Sequence, residues 1–467
     1  MTQTMFLHRR PVEALVVVLL LHAGGCSDST GPGEDDPILE LPRALTTTEV
    51  SLIARSNAFG LELAREVVER DGRPNIVLSP LSASMALGMT MNGAAGETLE
   101  AMRSTLGFGG LSLEEINDSY RSLIDLLVKL DPQVEVAIAN SVWANADAPF
   151  HDSFFQSVTA AFDTRVETRD FGSASTLGEI NDWVNEKTNG RISRILDQLD
   201  PQLVMLLLNA IYFDGAWTTR FDPDMTRPGD FHRADGSVVS VEMMSLVDET
   251  LPLVRTRDFS VVELPYGGGA YSMVVVVPQP PADARSLLAA LDETQWESIL
   301  GALTPGDLDL LSIPKLTLSY DALLNEPLKD MGMDIAFHPG SDFTGMSPVG
   351  SQFCIDFVRQ KTFIEVDEEG TRAAAVTAVG IGVTSFTGIV ADRPFVFAIR
   401  ERLSGTILFM GLVEDPTASD SGSATEAMDC SKDVSLVGSP HRMSKTLYRR
   451  GQNRGMLPIL GLPSGIN

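Results

Sequence analysis

Apolar and polar positions along this chain switch between a helical and a strand period. Leu52, Phe59, Leu63 and Val67 recur at helical spacing, and Thr46 with Glu49 ahead of them has the spacing of a capping box. A second such pair, Thr176 and Glu179, precedes a helical pattern through Trp183 that Asn189-Gly190 should end. Val134, Val136, Ile138 and Val142 alternate as a strand. Residues 203–213 and 273–277 are unbroken apolar runs that suit central strands covered on both faces. Residues 395–400 and 406–413 read as a hairpin around Leu403-Ser404-Gly405. No internal repeat interrupts this succession, and the mixture predicts an α+β domain over residues 46–416.

Residues 366–391 follow a different rule. Asp367-Glu368-Glu369-Gly370 leads into a run of small side chains without proline, and Asp392-Arg393-Pro394-Phe395 closes it. Side chains two apart share a strand face. One face would hold Thr371, Ala373, Ala375, Thr377, Val379, Ile381 and Val383, none of them charged. The other would hold Arg372, Ala374, Val376, Ala378, Gly380, Gly382 and Thr384. The segment is a loop whose uncharged face suits the interior of a sheet.

At the amino terminus Arg9 and Arg10 precede an apolar run over residues 14–21, and Ala23-Gly24-Gly25 leads to Cys26. The run is too short to cross a bilayer core, which takes about 20 apolar residues. A basic start, a short apolar stretch and small residues before the cut describe a secretory signal over residues 1–25. The cysteine after that cut resembles a bacterial lipobox, with Ala23 where leucine is preferred. On this reading Cys26 is acylated and the protein is exported, either lipid-anchored at the cell envelope or extracellular. Residues 26–45 are polar and rich in glycine, proline and acids, a tether that cannot bury enough apolar surface to fold. Residues 417–467 open with a Ser/Gly-rich linker and turn basic through Arg442, Lys445, Arg449, Arg450 and Arg454. This tail reads as a disordered extension and is assigned no role.

Composition narrows the function. Across 467 residues the formal net charge is −28, which argues against a nucleic-acid surface built from clustered Lys and Arg. The three cysteines, Cys26, Cys354 and Cys430, lack metal-ligand spacing, and the six histidines are scattered singly, so neither a metal nor a cofactor is expected. No G-x-S-x-G elbow, Walker-type loop or G-x-G-x-x-G helix start is present, which argues against an enzyme.

Several motifs in order carry a resemblance. Asn75-Ile76-Val77-Leu78-Ser79-Pro80-Leu81-Ser82 is followed by Asn92-Gly93-Ala94-Ala95-Gly96-Glu97-Thr98, then by Asn181-Asp182-Trp183-Val184-Asn185 with Thr188, Gly190 and Ile192. Leu208-Asn209-Ala210-Ile211-Tyr212-Phe213 with Trp217 and Phe221, then Pro314-Lys315, Leu328-Lys329-Asp330-Met331-Gly332-Met333 and Pro394-Phe395-Val396-Phe397 with Phe409-Met410-Gly411 complete the series. The chain resembles the serpins over residues 45–416, and residues 368–391 resemble their reactive-centre loop.

The resemblance implies a fold of three β-sheets with about nine helices and an exposed loop. It implies a monomeric suicide substrate for a serine protease: the protease attacks the loop, forms a covalent acyl-enzyme, and is trapped when the freed loop enters the main sheet. The hinge would comprise Glu368, Glu369, Gly370, Thr371, Arg372, Ala373, Ala374, Ala375, Val376 and Thr377, with Arg372 standing where glutamate is usual. Counting from Gly370 places the cut between Thr384 and Ser385. Counting back from Pro394 gives Val383-Thr384, and Phe386 is a third candidate that would suit a chymotrypsin-like pocket. Thr384 or Val383 before the bond suits an elastase-like or subtilisin-like protease. Ser79, Ser82 and Asn209 match the polar cluster beneath the opening sheet, with Gln360 in place of its usual histidine. Trp217, Lys315 and Glu368 match the point where the loop enters, where a Glu368–Lys315 ion pair is expected. The alternative is a non-inhibitory serpin acting as a binding protein or chaperone, against which the small-residue hinge argues.

Overall fold

The computed structural model describes residues 37–370 and 387–418. Helix α1 (Thr47–Arg70) starts where the capping box places it: Thr46 Oγ1 accepts from the Glu49 N–H at 3.1 Å, and the Glu49 carboxylate accepts from the Thr46 N–H at 2.7 Å. Leu52, Phe59, Leu63 and Val67 are buried along it. Strand β1 (Asn75–Leu78) runs into α2 (Pro80–Met91), and α3 (Gly96–Thr105) and α4 (Leu113–Lys129) follow. Then come β2 (Val134–Asn145), α5 (Asp152–Phe162), β3 (Thr164–Arg169), α6 (Ala174–Lys187) and β4 (Met205–Gly215). The middle of the chain holds β5 (Arg227–His232), β6 (Val238–Arg255), β7 (Phe259–Tyr266), β8 (Tyr271–Pro278), α7 (Ala284–Ala290) and α8 (Glu293–Gly301). The last elements are β9 (Thr304–Pro314), β10 (Leu316–Leu323), α9 (Asn325–Leu328), β11 (Arg359–Val366), β12 (Gly388–Val390), β13 (Phe395–Glu401) and β14 (Ile407–Val413).

Two sequence expectations are corrected. The Thr176–Glu179 pair does not cap α6, which begins three residues earlier, with Ser173 at its cap position. Thr176 Oγ1 donates instead to the Asp170 carbonyl at 2.7 Å, and Glu179 pairs with Arg169 at 2.7 Å, so neither side chain is left to form the box. The end of that helix is as expected, with Asn189 at φ 47° and Gly190 at φ 81° turning the chain through the left-handed region. The second correction concerns residues 203–213. Residues 205–213 lie in β4 and are covered on both faces as expected, by α6 and by α2, but among the described residues the strand is not central: it pairs along one edge only, with β2. Residues 273–277 are central as well as covered: β8 pairs with β7 and β13, and all eight of its residues are buried.

Among the described residues the strands form three sheets. The largest has nine strands, in the order β1-β14-β13-β8-β7-β6-β9-β12 with β5 on β6. A three-stranded sheet, β3-β2-β4, and a two-stranded one, β10-β11, complete the set. The predicted hairpin is β13–β14, and the buried Glu401 carboxylate caps its turn by accepting from the Leu403 and Ser404 N–H groups, each at 2.6 Å. The main core fills the space between the large sheet and α1, α2 and α4. A second apolar cluster, including Trp143, Ile180, Trp183, Leu206 and Leu208, binds α6 to β2 and β4. Helix α2 meets β4 from the other side through the main core, which fixes one wall of the site described next.

Candidate functional site

Strands β4 and β11 lie on either side of a cleft, and among the described residues no ladder joins them. Each is paired along its far edge, β4 with β2 and β11 with β10. The lower part of the cleft is a cavity of about 120 Å³ whose lining includes Leu206, Leu208 and Asn209 of β4, Gln360 of β11 and Ser82 of α2. The upper part, about 40 Å³, is lined by Ile211, Phe213 and Gly215 of β4, Phe363 and Glu365 of β11, and Gly370. Both cavities draw on both strands, so the opening follows their length. Facing strand edges with unmade ladder bonds are a template for another strand.

The polar groups beneath the lower cavity do not form the single cluster expected for Ser79, Ser82, Asn209 and Gln360. Gln360 takes Ser79 for itself: its Oε1 accepts from the Ser79 N–H and its Nε2 donates to the Ser79 carbonyl, both at 2.9 Å. A carboxamide offers a donor and an acceptor side by side, which matches the N–H and C=O of one residue. Ser79 Oγ donates to the Leu408 carbonyl at 2.7 Å and accepts from the Ser82 N–H at 3.3 Å, capping α2. Asn209 turns to a residue that the sequence did not single out, donating to Asn140 Oδ1 at 2.6 Å. Its own Oδ1 is buried without a hydrogen-bond partner. The two halves of the cleft are thus fastened separately, β11 to α2 and β4 to β2.

At the upper mouth, Asp367 and Gly370 close a tight turn. Trp217 holds it, donating Nε1–H to the Asp367 carbonyl at 2.9 Å and its backbone N–H to the Glu369 carbonyl at 3.0 Å, while its ring stacks on Tyr266 at 4.2 Å. Gly370 has φ 82°, and a Cβ there would come within 2.3 Å of the Trp217 nitrogen, so only glycine fits. The expected ion pair is present, with Lys315 Nζ 2.7 Å from Glu368 Oε2, and Thr226 Oγ1 donates to Glu368 Oε1 at 2.8 Å. Burial pushes the Glu368 carboxyl up, but hydrogen bonds from Lys315 and Thr226 more than offset it and hold the group below its ordinary range. Asp367 is shifted the other way, raised mainly by burial with Glu368 and Glu365 adding to it. Thr226 carries no sequence signal that would have placed it here, because it reaches Glu368 across 142 positions of chain.

Beyond residues 371–386 the chain is refastened at Thr387. Asp309 of β9 accepts from the Thr387 backbone N–H and, at 2.9 Å, from its hydroxyl, while the Asp309 N–H donates to the Thr387 carbonyl at 3.0 Å. Strand β12 then runs parallel to β9 with Ile389 buried.

A family model described as "Serpin (serine protease inhibitor)" matches residues 54–416. The chain belongs to the serpin family. Among its relatives, intracellular coagulation inhibitor 2 of Tachypleus tridentatus is 33% identical over 77% of this chain and 90% of its own. Leukocyte elastase inhibitor of Sus scrofa is 32% identical, covering 78% of this chain and 99% of its own. The native structure of the thermophilic serpin tengpin superposes with a TM-score of 0.71 at 31% identity, covering 81% of this chain and 97% of its own. Of the positions matched to the serpin hinge, Glu368, Glu369 and Gly370 form the turn above. Thr371, Arg372, Ala373, Ala374, Ala375, Val376 and Thr377 lie outside the described residues, as do Val383, Thr384, Ser385 and Phe386. Cys26 and residues 27–36 of the tether lie outside them too, as does nearly all of the tail. Residues 37–45, expected to belong to the tether, instead lie against the domain: the Ile38 N–H donates to the Gly268 carbonyl at 2.8 Å, and Ile38, Leu41 and Leu45 pack on the main core. Cys354 is disulfide-bonded, and the other two cysteines, Cys26 and Cys430, are both outside the described residues.

The Glu368 shift sets a pH dependence. Its folded value is below the unfolded one, so the hinge contact stabilises fully above the ordinary glutamate range and is lost as pH falls through the lowered value. Lys315 is partly exposed, which limits the effect, and Glu368→Gln should cost about 0.5–1 kcal/mol at neutral pH. Thermal melts of both proteins from pH 7 to pH 3 should converge as the wild-type carboxyl protonates; a gap that persists at the acid end would show that the ion pair is not its source.

Proposed function

We propose that this serpin is a single-use inhibitor of serine proteases whose loop, residues 371–386, is cut at Thr384-Ser385 and then enters the cleft between β4 and β11. The observation that carries this reading is the cleft itself, with the Gly370 turn at its mouth. Relatives named as inhibitors, at 32% and 33% identity, support it. Chain length supports it as well. Strand β4 has 11 residues, a cleft of roughly 35 Å. Sixteen residues between fixed ends at Gly370 and Thr387 reach at most about 60 Å. A loop held at both ends would have to run down the cleft and return, a path of about 70 Å. The intact loop is too short for that, whereas a loop cut near Thr384 can fill the cleft in one pass and carry an attached acyl-enzyme with it.

The cleft also accounts for the composition of the loop. A charge on its inward face would have to be desolvated at a cost of several kcal/mol. The inward face from Thr371 to Val383 carries none, and Arg372 falls on the other face. Thr384 before the bond fits a protease with a small apolar pocket, of elastase-like or subtilisin-like preference, and no Lys or Arg between Ala373 and Ala391 suits a trypsin-like one. In this reading the domain acts as a monomer outside the inner membrane, with Cys26 as its lipid anchor. The mass of the mature amino terminus decides whether Cys26 carries that anchor.

Incubation with elastase or subtilisin should yield a complex that survives denaturing electrophoresis. Clean cleavage by elastase, subtilisin, chymotrypsin and trypsin with no complex from any of them would end the inhibitory reading.

Cutting the loop should raise the melting temperature, because the freed segment completes the sheet, whereas nicking an ordinary surface loop leaves it level or lower. Calorimetry before and after loop cleavage checks this, and an unchanged or lower midpoint rules out insertion.

Thr371→Arg should convert the inhibitor into a substrate, since the first inward-facing residue would have to be desolvated while the acyl bond awaits hydrolysis. Arg372→Glu, on the solvated face, should leave the stoichiometry of inhibition nearly unchanged. Equal stoichiometries for wild type and Thr371→Arg would show that the faces are assigned wrongly.

A further inference from the structure

The distal end of the loop is held in a way that bears on which bond a protease can reach. Thr387 is exposed, yet its polar groups converge on one residue: its backbone N–H and hydroxyl donate to the Asp309 carboxylate, and its carbonyl accepts from the Asp309 N–H. Asp309 sits in β9 beside β12, whose Gly388, Ile389 and Val390 pair with Leu310, Leu311 and Ser312. Its carboxylate extends this ladder by one residue toward the loop.

A segment attacked by a protease lies extended in the cleft of the enzyme and pairs through its main chain on both sides of the cut bond. Residues beside that bond therefore need free N–H and C=O groups. Thr387 has neither free. For a cut after Phe386, Thr387 would be the residue next to the bond, and all three contacts with Asp309 would have to break first. A cut after Thr384 leaves Ser385 and Phe386 between the bond and the clamp, and a cut after Val383 leaves one more.

We propose that Asp309 is a specificity-determining positioning residue, which withholds Thr387 from proteases and so confines attack on the loop to bonds before Phe386-Thr387, among them Val383-Thr384 and Thr384-Ser385. This rests on the reading of residues 371–386 as the segment a protease attacks, and it goes beyond that reading by assigning the choice of bond to a side chain outside the loop. Phe386, the one aromatic residue of the loop, is thereby denied to a chymotrypsin-like enzyme.

The test is a cleavage map of the full-length protein, with loop fragments identified by mass. Chymotrypsin is compared with subtilisin on wild type, Asp309→Ala, Asp309→Asn, Thr387→Val and the Asp309→Ala/Thr387→Val pair. The quantity read is the rate of cleavage after Phe386 divided by the rate at residues 383–385 in the same protein. A general loosening of the fold raises both rates and leaves the ratio unchanged, so a purely structural role for Asp309 does not move it. Asp309→Ala should raise the ratio about tenfold, as expected for loss of hydrogen bonds to a charged group. Asp309→Asn, which keeps an acceptor for the Thr387 N–H, and Thr387→Val, which loses only the hydroxyl, should fall between. The double variant should match Asp309→Ala, because Thr387 has no carboxylate left to engage. Ready cleavage of the wild type after Phe386, or an equal ratio in wild type and Asp309→Ala, would overturn the proposal. Trapping is scored separately: cleavage of every variant without a covalent complex would remove the inhibitory function while the ratio still decides the role of Asp309.

Discussion

The rest of this structure is organised around one missing ladder. Among the described residues, strands β4 and β11 each pair along one edge, and the edges that face each other enclose a cleft where a further strand would lie. Main-chain N–H and C=O groups are obligatory hydrogen-bonding groups, and a sheet edge that could pair is ordinarily paired, covered or blunted. A fold that keeps two such edges apart holds free energy that a suitable strand would release. The described residues show how they are kept apart: β4 is tied to β2 and overlaid by α6, and β11 is tied to β10 and, through Gln360, to the start of α2.

The two ends of the loop are fastened by different chemistry. At the proximal end a glycine turn is locked under Trp217, with one carboxylate, Glu368, satisfied by Lys315 and Thr226, and its neighbour Asp367 half-buried and shifted toward its neutral form. At the distal end Asp309 holds Thr387 at the surface through hydrogen bonds that lower the Asp309 carboxyl below its ordinary range. The proximal turn is a pivot built into the interior, and the distal clamp is a surface fastening.

The glutamine at position 360 has a local consequence. Gln360 satisfies both of its amide groups on one residue, Ser79, and so makes no bond across the cleft. Asn209 on the opposite strand is left with a buried, unpartnered oxygen. A buried acceptor without a donor is costly, and here that cost falls on the wall of the cavity that an entering strand would fill.

Much of this was legible in the sequence. The capping box at Thr46, the buried run in β8, the β13–β14 hairpin and the left-handed stop at Asn189-Gly190 depend on residues close together in the chain, where period and turn chemistry act directly. The serpin motifs, being matched in order, also brought Glu368, Lys315 and Trp217 to one place. Contacts made at long range were not legible. Thr226 and Asn140 were not foreseen, and neither was Asp309, because a lone threonine, asparagine or aspartate has no periodicity to mark it. Residues 203–213 read as a central strand because apolar content reports cover on both faces, which β4 has. Whether both edges of that strand are paired is decided by which backbone lies beside it, and that only the tertiary structure settled.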